Sequence, residues 1–496
     1  MFQGSRTLER LNLEPFAFDP ARLDAVIVTH AHIDHSGLLP KLAAAGFTGP
    51  IWCTGPTRDL LEHMLADAAR LQEYETERHN RRRDRAGEDP FDPLFTAADA
   101  AAAFALCRTV DLEEEFLPAP GFRARLWNAG HILGSASVEL EAGGVSVLCS
   151  GDLGPDNKAF QRDPHGRSGF DHVICECTYG DTVRDPVSIE ERRRLLQAEV
   201  EAALVRGGNL VIPAFALERT QELLLDLGHL LSERAIPAVP VFIDSPLAIR
   251  TTEVFARYAH ELEDTGKSDV FAHPAFHYVT DIAGSVALNS MSGAIIIAAS
   301  GMCEGGRIRH HLLHNLHRRD STVLFVGYQA QGSLGRVITD GAQRVRISGQ
   351  DVRVRAQIRS LHGYSAHADQ SELLAWIAER SPIAGSLFLD HGEQEAQEAM
   401  RRALQRRFPQ LNVRLPEIGE EYLLPPGESA LRSATGRTDL GDALGRDWQN
   451  DYAAFASSLK QDLMRLKSDR ERKEAIAQMA RILQSYAAHK ERHRKA

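Results

Sequence analysis

Short apolar runs that end in Gly, Ser, Asp or His recur along this chain, and they constrain its fold more than any other feature. They are rich in β-branched residues and cover, for example, residues 24–29, 145–150, 171–175, 209–215, 240–244, 294–300, 322–327 and 386–390. Continuous apolar runs of this length predict strands buried on both faces. Helical periodicity separates many of them, as over 188–206 and 217–232. The alternation predicts an α/β fold that gathers ligands at the carboxyl ends of its strands.

The composition excludes several classes of protein. With 496 residues, 43% hydrophobic and 25% charged, the chain is neither disordered, collagen-like nor a disulfide-stapled miniature. A net charge of −11 excludes a protein that coats nucleic acid through bulk charge, although a locally basic groove is compatible with it. The six cysteines form no disulfide framework, and we find no apolar signal core or membrane-spanning run. We therefore expect a soluble cytoplasmic protein that does not act at a membrane.

The last 50 residues differ from the rest of the chain. Residues 447–496 contain no strand pattern and carry eleven Lys and Arg against seven Asp and Glu. Apolar residues such as Ile476 and Met479 recur there at helical spacing. We expect a helical hairpin that packs on the body of the protein or on a second subunit, which would make a homodimer. We favour this over an RNA-binding arm.

A dense group of metal-binding side chains follows the first predicted strand. Residues 29–37 read THAHIDHSG, so His30, His32, Asp34 and His35 lie within six positions. An isolated histidine is more often structural or solvated than a ligand. Three imidazoles and a carboxylate directly after a buried strand suit a borderline metal such as zinc.

Three further candidates share the same position after a strand or in a glycine-rich turn. His131 lies in NAGHILGSAS, Asp152 in SGDLG and His391 in DHGE. Taken singly, His131 could be a core histidine and His391 a backbone cap. Together with the first group they give five histidines and two aspartates, enough for two metals with one bridging carboxylate. Such binuclear sites attack phosphodiesters.

These motifs, in this order, resemble the metallo-β-lactamase fold, and later segments resemble its β-CASP branch of nucleic-acid-cleaving enzymes. The supporting segments are ECTYGD (176–181), PAFALERTQELL (213–224), IDSPLA (243–248), SGMCEGGRIRHHL (300–312), VGYQAQGSLGR (326–336) and YSAHADQ (364–370). The likeness runs to about residue 425. It implies an αββα sandwich over 1–183 and 351–430, split by an inserted α/β β-CASP domain over 184–350 and followed by a helical extension over 431–496.

The resemblance also implies roles for individual residues. His30, His32 and His131 would hold one Zn²⁺, Asp34, His35 and His391 the second, and Asp152 would bridge them. Asp34 would in addition orient the attacking hydroxide. His367, in SAHAD, resembles the general acid that protonates the leaving 3′ oxygen, and Glu176 the carboxylate that positions it. Without the SAHAD match, Glu176 would be read as an ordinary residue at a strand end.

The implied substrate is single-stranded RNA, cut mainly internally to leave 5′-phosphate and 3′-hydroxyl ends. A histidine at position 391 resembles the RNA-processing members of the branch, whereas DNA-repair members typically have valine there. Two glycine-rich turns would expose backbone N–H groups to an anion. We therefore expect RNA phosphates near Ser300, Gly301, Arg307, Arg309 and Arg336. Plain tight turns are the alternative.

Two other interpretations of the whole chain stay open. A catalytically inactive RNA-binding or scaffolding relative is one, because the chain begins where relatives have already formed two or three strands and an Asp-Cys-Gly turn. We expect the true start to lie upstream. A small-molecule metallo-hydrolase such as a thioesterase or lactonase is the other, since it shares the HxHxDH motif.

Three further histidines imitate a metal site, because His310, His314 and His317 fall on one helical face. We interpret them as a polar or RNA-facing surface.

Overall fold

The computed structural model describes residues 1–2, 6–185, 187–265, 270–330, 332–440 and 468–494, together with 459, 463, 465 and 466. The chain divides into two compact units, Met1–Thr438 and Asp439–Ala496. In the second unit, the helix Asp469–Arg494 is consistent with the helical extension expected there, and Ile476 is half exposed on it. The predicted packing of this tail, whether on the body or on a second subunit, stays a prediction. Among the described residues, no helix combines the length and the apolar character that a membrane crossing requires.

Three sheets organise the described part of the first unit. The small sheet is parallel and contains Val26–Ile27, Ile51–Cys53 and Cys107–Thr109. The large sheet is mixed and contains, in spatial order, Val413–Arg414, Ile383–Asp390, Phe170–Glu176, Val145–Cys149, Ala136–Ala142, Phe122–Asn128 and Glu115–Phe116. Its first four strands run parallel and the remainder antiparallel.

The third sheet, here called the inserted sheet, is parallel throughout. Its spatial order is Phe276–Tyr278, Val241–Ile243, Ile295–Ala298, Leu210–Pro213, Thr322–Phe325 and Gln357–Ser360. Because its last strand lies after residue 350, the sheet continues past the predicted end of the inserted domain, and that boundary stays a prediction. Two hairpins complete the strands of the described chain, Arg344–Ile347 with Gln350–Arg353 and Glu421–Leu423 with Leu431–Ala434.

Helices fill the connections between the strands of the first unit. The α-helices of its described residues are Arg6–Leu11, Ile33–Ser36, Leu39–Ala44, Gly55–Ala86, Ala97–Ala105, Ile189–Val205, Arg219–Ser232, Pro246–Arg257, Ile282–Ala287, Ile308–Asn315, Leu334–Thr339, Gln370–Glu379 and Gln394–Arg407. Short 3₁₀ helices span Pro20–Arg22 and Leu288–Ser290. Thr96 begins Ala97–Ala105 with a capping box, and Gly87 ends Gly55–Ala86 in the left-handed conformation (φ 72°).

Alternation along the strands explains why the inserted sheet is buried on both faces. Leu210 and Ile212 point into one core, and Val211 points into another that contains Ile308 and Leu312. All four residues of the strand Leu210–Pro213 are buried. The continuous apolar runs therefore predicted these strands correctly, and the α/β fold class is confirmed.

Candidate metal centre

Three neighbouring strands of the large sheet deliver three of the predicted site residues to one edge. The carboxyl ends of parallel strands meet at the same edge of a sheet. Asp152 follows Val145–Cys149, Glu176 ends Phe170–Glu176 and His391 follows Ile383–Asp390. This pairing joins residues more than 200 positions apart in the chain.

His131 reaches the same edge through a glycine-dependent turn. It lies between the strands Phe122–Asn128 and Ala136–Ala142, and Gly130 before it has φ 65°. The loop after Asp152 packs directly on this turn, because a Cβ on Gly154 would lie 1.8 Å from the carbonyl oxygen of Gly130. A residue with a side chain at position 154 would therefore push the two loops apart.

The first half of the site consists of three imidazoles and one carboxylate oxygen. His32 Nδ1 lies 3.2 Å from His30 Nε2 and 3.1 Å from His131 Nε2. Asp152 Oδ2 lies 3.5 Å from the Nε2 atoms of both His30 and His131. His30 and His131 are fully buried. These four atoms surround one point.

The second half uses the other oxygen of the same aspartate. Asp152 Oδ1 lies 3.2 Å from His35 Nε2 and 3.6 Å from His391 Nε2, and those two nitrogens are 3.2 Å apart. Asp34 Oδ2 lies 3.5 Å from His391 Nε2 and 3.8 Å from His35 Nε2. The side chain of Asp34 is 38% exposed. This half therefore opens toward solvent, whereas the first half is closed.

The distances between the donor atoms are explained better by bound metal ions than by direct contacts among the donors. Tetrahedral zinc with Zn–N distances of about 2.0–2.1 Å has edges of about 3.3 Å, close to the nitrogen separations seen here. Asp152 Oδ1 is buried and accepts no well-aligned hydrogen bond from the described residues, although His35 Nε2 lies 3.2 Å away, and such an atom is costly unless something compensates for it. All seven residues that we predicted as ligands lie in this cluster.

Contacts on the far side of two of the rings orient the predicted ligand nitrogen. His131 Nδ1 lies 2.8 Å from the carbonyl oxygen of Ala366, and His391 Nδ1 lies 3.0 Å from the hydroxyl of Thr178. Such outer contacts fix the tautomer that leaves Nε2 free as a ligand. The sequence analysis did not identify Thr178, which lies in ECTYGD, as part of the site.

Burial and charge set the protonation of the cluster. Burial lowers the pKa of His30 and His131 well below the usual value and that of His32 to about 4. A lowered pKa favours the neutral imidazole, which is the form that binds a metal ion. Burial also lowers the pKa of His391, but the adjacent Asp34 and Asp152 carboxylates outweigh it and raise that pKa to about 10.

His367, which is partly exposed, pairs with the buried Glu176 beside the cluster. His367 Nδ1 donates to Glu176 Oε1 at 3.0 Å, and His367 Nε2 lies 4.0 Å from Asp152 Oδ2, so it faces the metal ligands. Glu176 is 1% exposed and also accepts the backbone N–H groups of Leu153 and Thr178. Burial lowers the pKa of His367, but the Glu176 carboxylate outweighs this effect and raises the pKa above its usual value.

The predicted phosphate contacts lie in the loops and helices that follow two strands of the inserted sheet. Ser300 and Gly301 follow Ile295–Ala298, and Arg336 lies in the helix Leu334–Thr339, where it pairs with Asp340 at 2.8 Å. Arg309 donates to the carbonyl oxygen of Glu304. Their role toward RNA stays a prediction.

Arg307 has a partner that the sequence analysis did not foresee. Its Nη1 atom lies 2.6 Å from Asp244 Oδ1, and the buried His311 lies 2.6 Å from Asp244 Oδ2. Asp244 follows the strand Val241–Ile243, so the strand-end position that identified the metal ligands could also have identified this carboxylate. His310, His314 and His317 form no metal-binding group with three donors in the described chain.

A second buried charged group connects the metal-binding turn to the helix Arg219–Ser232. Lys158 Nζ donates to the carbonyl oxygen of His131 at 2.6 Å and to Glu218 Oε1 at 2.5 Å. Glu218 Oε2 accepts the backbone N–H of Leu133. Glu218 has φ 68° and is 2% exposed. Lys158 carried no pattern that the sequence analysis could use.

Comparison with known families covers most of the chain. Residues 2–201 match the model of the metallo-beta-lactamase superfamily, residues 220–338 that of the Beta-Casp domain, and residues 351–416 that of the Zn-dependent metallo-hydrolase RNA specificity domain. These matches confirm the resemblance drawn from the motifs.

Curated relatives point the same way. Ribonuclease TTHA0252 of Thermus thermophilus is 36% identical over 433 residues, which cover 85% of this chain and 92% of that protein. The transcription termination factors FttA of Methanothermobacter thermautotrophicus and Pyrococcus abyssi are 31% and 30% identical over 77% and 79% of this chain. The chain spans about three fifths of the length of these two factors (60% and 61%).

Proposed function

Because the chain belongs to the β-CASP ribonuclease family of the metallo-β-lactamase superfamily, we propose that it is a two-zinc ribonuclease that cuts single-stranded RNA. It hydrolyses phosphodiester bonds mainly within the strand and leaves 5′-phosphate and 3′-hydroxyl ends. The observation that carries this proposal is the position of Asp152, whose two carboxylate oxygens each face a separate group of imidazoles.

The seven clustered side chains divide into two zinc sites. His30, His32 and His131 would hold one ion, Asp34, His35 and His391 would hold the other, and Asp152 would serve both. Bound zinc would activate water and neutralise charge on the phosphoryl oxygens. The unequal exposure of the two halves supports substrate entry from the side of Asp34, which would orient the attacking water.

His367 supplies the proton that the leaving group needs. Hydrolysis joins the oxygen of water to phosphorus and breaks the bond to the 3′ oxygen, which takes up a proton as it leaves. The Nε2 atom of His367 faces the metal ligands, and Glu176 holds the opposite ring nitrogen. An imidazolium that a carboxylate stabilises can donate a proton near neutral pH.

Single-stranded RNA is the substrate that the site accommodates best. His30 and His131 are fully buried and Asp152 is 2% exposed, which supports a site that an unpaired strand reaches more easily than an intact duplex does. Recognition of unpaired RNA relies on bases that can be splayed out of a stack. The names of the Thermus thermophilus ribonuclease and of the RNA specificity domain support RNA over DNA.

End-labelled RNA tests the proposal directly. We expect the zinc-loaded protein to cut an unstructured RNA internally, to leave 3′-hydroxyl ends, and to spare the same sequence within a duplex. His35→Ala should abolish cleavage, whereas His79→Ala, which changes an exposed histidine on the helix Gly55–Ala86, should retain it. Zinc binding without cleavage would favour the scaffolding interpretation, and cleavage that needs no metal would contradict the proposal.

A further inference from the structure

Two large aromatic side chains are exposed at the carboxyl edge of the inserted sheet. Phe215 is 42% exposed and follows the strand Leu210–Pro213, and Tyr328 is 50% exposed and follows Thr322–Phe325. These two strands are neighbours, so both rings emerge from the same part of the edge. The strands themselves are completely buried. The two rings are therefore exposed although the strands that lead to them are buried.

The backbone around both rings is held in place. The ring of Phe215 packs so closely on Gly301 that a Cβ there would lie 2.9 Å from Phe215 Cδ2, and the carbonyl oxygen of Phe215 accepts the Thr220 hydroxyl at 2.7 Å. Gln329 Nε2 donates to the carbonyl oxygens of Tyr328, at 3.0 Å, and of Gly301, at 3.1 Å. Gln329 thereby ties the loop that carries Tyr328 to the loop on which Phe215 rests.

Electrostatic interactions and one ring contact relate Tyr328 to the candidate metal centre. Electrostatic interactions link Tyr328 to Tyr179 and to Glu393, which lies two residues after His391. The ring of Tyr179 contacts the ring of His367 edge-on, with centroids 6.2 Å apart. The guanidinium of Arg184 lies over Tyr179 at 4.7 Å. Tyr179 therefore lies beside the proposed general acid and interacts electrostatically with Tyr328 at the exposed edge.

We propose that Phe215 and Tyr328 stack against unpaired bases of the RNA strand and thereby hold the scissile bond at the metal centre. This inference rests on the proposed function and adds to it a site for the bases. Every base has a π-face, so stacking binds single strands with little sequence preference, and a base within a duplex cannot take part. Arg336 interacts electrostatically with Tyr328 and brings positive charge beside this site, as a strand with phosphates requires.

Steady-state kinetics on an unstructured RNA tests the two rings. Stacking on one aromatic side chain typically contributes enough that its loss weakens binding roughly tenfold. We expect Tyr328→Ala and Phe215→Ala each to raise KM about tenfold with little change in kcat, and Tyr328→Phe to retain the wild-type KM. Hydrolysis of bis(p-nitrophenyl) phosphate, which lacks bases, should be unchanged. Tyr74→Ala, which removes an aromatic side chain 61% exposed on the helix Gly55–Ala86, is the matched control.

Abasic RNA locates the stacked bases. A series of oligonucleotides with one abasic nucleotide at successive positions around the cleaved bond should raise the wild-type KM about tenfold at one or two positions. At the position whose base stacks on Tyr328, the KM of Tyr328→Ala for the abasic substrate should be no higher than its KM for the unmodified RNA. Equal KM values across the series, or additive losses at every position, would overturn the inference.

The same experiments separate this inference from the proposed function. A wild-type protein that cuts the unmodified RNA supports the proposed function whatever the ring variants do. If Tyr328→Ala and Phe215→Ala then cut that RNA with unchanged KM, the stacking site is wrong and the nuclease proposal stands. A wild-type protein that cuts no RNA refutes the proposed function, and the stacking site with it.

Discussion

At the scale of a single residue, Asp152 shows that the site is assembled from distant parts of the chain. Its two oxygens face His30 and His131 on one side and His35 and His391 on the other. The HxHxDH spacing made the first cluster predictable, because strand and turn geometry place those side chains together. Convergence of His131 and His391 on the same carboxylate depends on sheet pairing over hundreds of residues. Their shared position after a strand or in a glycine-rich turn suggested that they join the first group, but the assignment of each residue to one metal came from the resemblance to a family.

His367→Ala should leave zinc binding intact and lower the rate of RNA cleavage by about 10²–10⁴-fold, the usual contribution of a general acid. A substrate with sulfur in place of the scissile 3′ oxygen should recover most of that rate, because a thiolate leaves without a proton. Cleavage assays with both substrates measure the effect. Equal losses on the oxygen and sulfur substrates would contradict the role of His367 as the proton donor.

Glu176→Gln tests whether the carboxylate acts through the histidine. The change keeps the shape of a side chain that is 1% exposed but removes the charge that holds His367 Nδ1. We expect a smaller loss of rate than in His367→Ala, and no additional loss when the two substitutions are combined, since residues in one hydrogen-bonded unit are not additive. Independent losses that multiply in the double variant would show that Glu176 has a separate function.

At the scale of elements, the carboxyl ends of parallel strands carry most of the chemistry. Those of the large sheet place Asp152, Glu176 and His391, and those of the inserted sheet place Asp244 and the two exposed rings. The apolar runs predicted these strands because burial on both faces leaves a clear pattern. The partners of Asp244 were not predictable, since Arg307 and His311 approach it from a helix more than 60 residues later.

Asp244→Asn should lower the free energy of unfolding by about 3 kcal/mol at pH 7, because it leaves the Arg307 guanidinium without its countercharge and removes the carboxylate that contacts the buried His311. Burial opposes ionisation of Asp244, yet hydrogen bonds from His311, Ser285 and Arg307 lower its pKa below the usual value. A carboxyl with a lowered pKa in the folded state stabilises the protein above its unfolded pKa of about 3.9, and that contribution is lost as the pH falls through the folded value.

Denaturant titrations at several pH values measure this difference. The gap between the wild type and Asp244→Asn should be constant above about pH 5 and should narrow as the pH falls further. Asp340→Asn is the matched control, because it removes a carboxylate from an exposed pair with Arg336 and should cost less than about 1 kcal/mol. A gap that stays constant down to pH 3, or equal losses in the two variants, would refute the account of this cluster.

At the scale of the whole molecule, the first compact unit joins the inserted sheet to the elements that carry the metal ligands. One hydrophobic core includes both Ile132, beside His131, and Leu223 of the helix Arg219–Ser232. The Lys158–Glu218 pair crosses the same boundary. Alternating strands and helices predicted the class of fold, but this shared core depends on side-chain packing that one sequence does not reveal.

Zinc removal should destabilise the first unit, because the metal binds the folded ligand cluster and not the dispersed residues of the unfolded chain. At free zinc 100 times the dissociation constant, each site should add about 2.7 kcal/mol to the free energy of unfolding. Thermal denaturation with zinc and after dialysis against a chelator measures this shift. A His30→Ala/His391→Ala double variant should show a much smaller shift, and an equal shift in that variant would place the stabilising metal elsewhere.

Anomalous scattering at the zinc absorption edge, from crystals of the zinc-loaded protein, tests the binuclear centre most directly. Two peaks of comparable height should lie about 3.5–4 Å apart, one on each side of the Asp152 carboxylate. A single peak, or zinc bound away from Asp152, would contradict the proposed two-zinc mechanism.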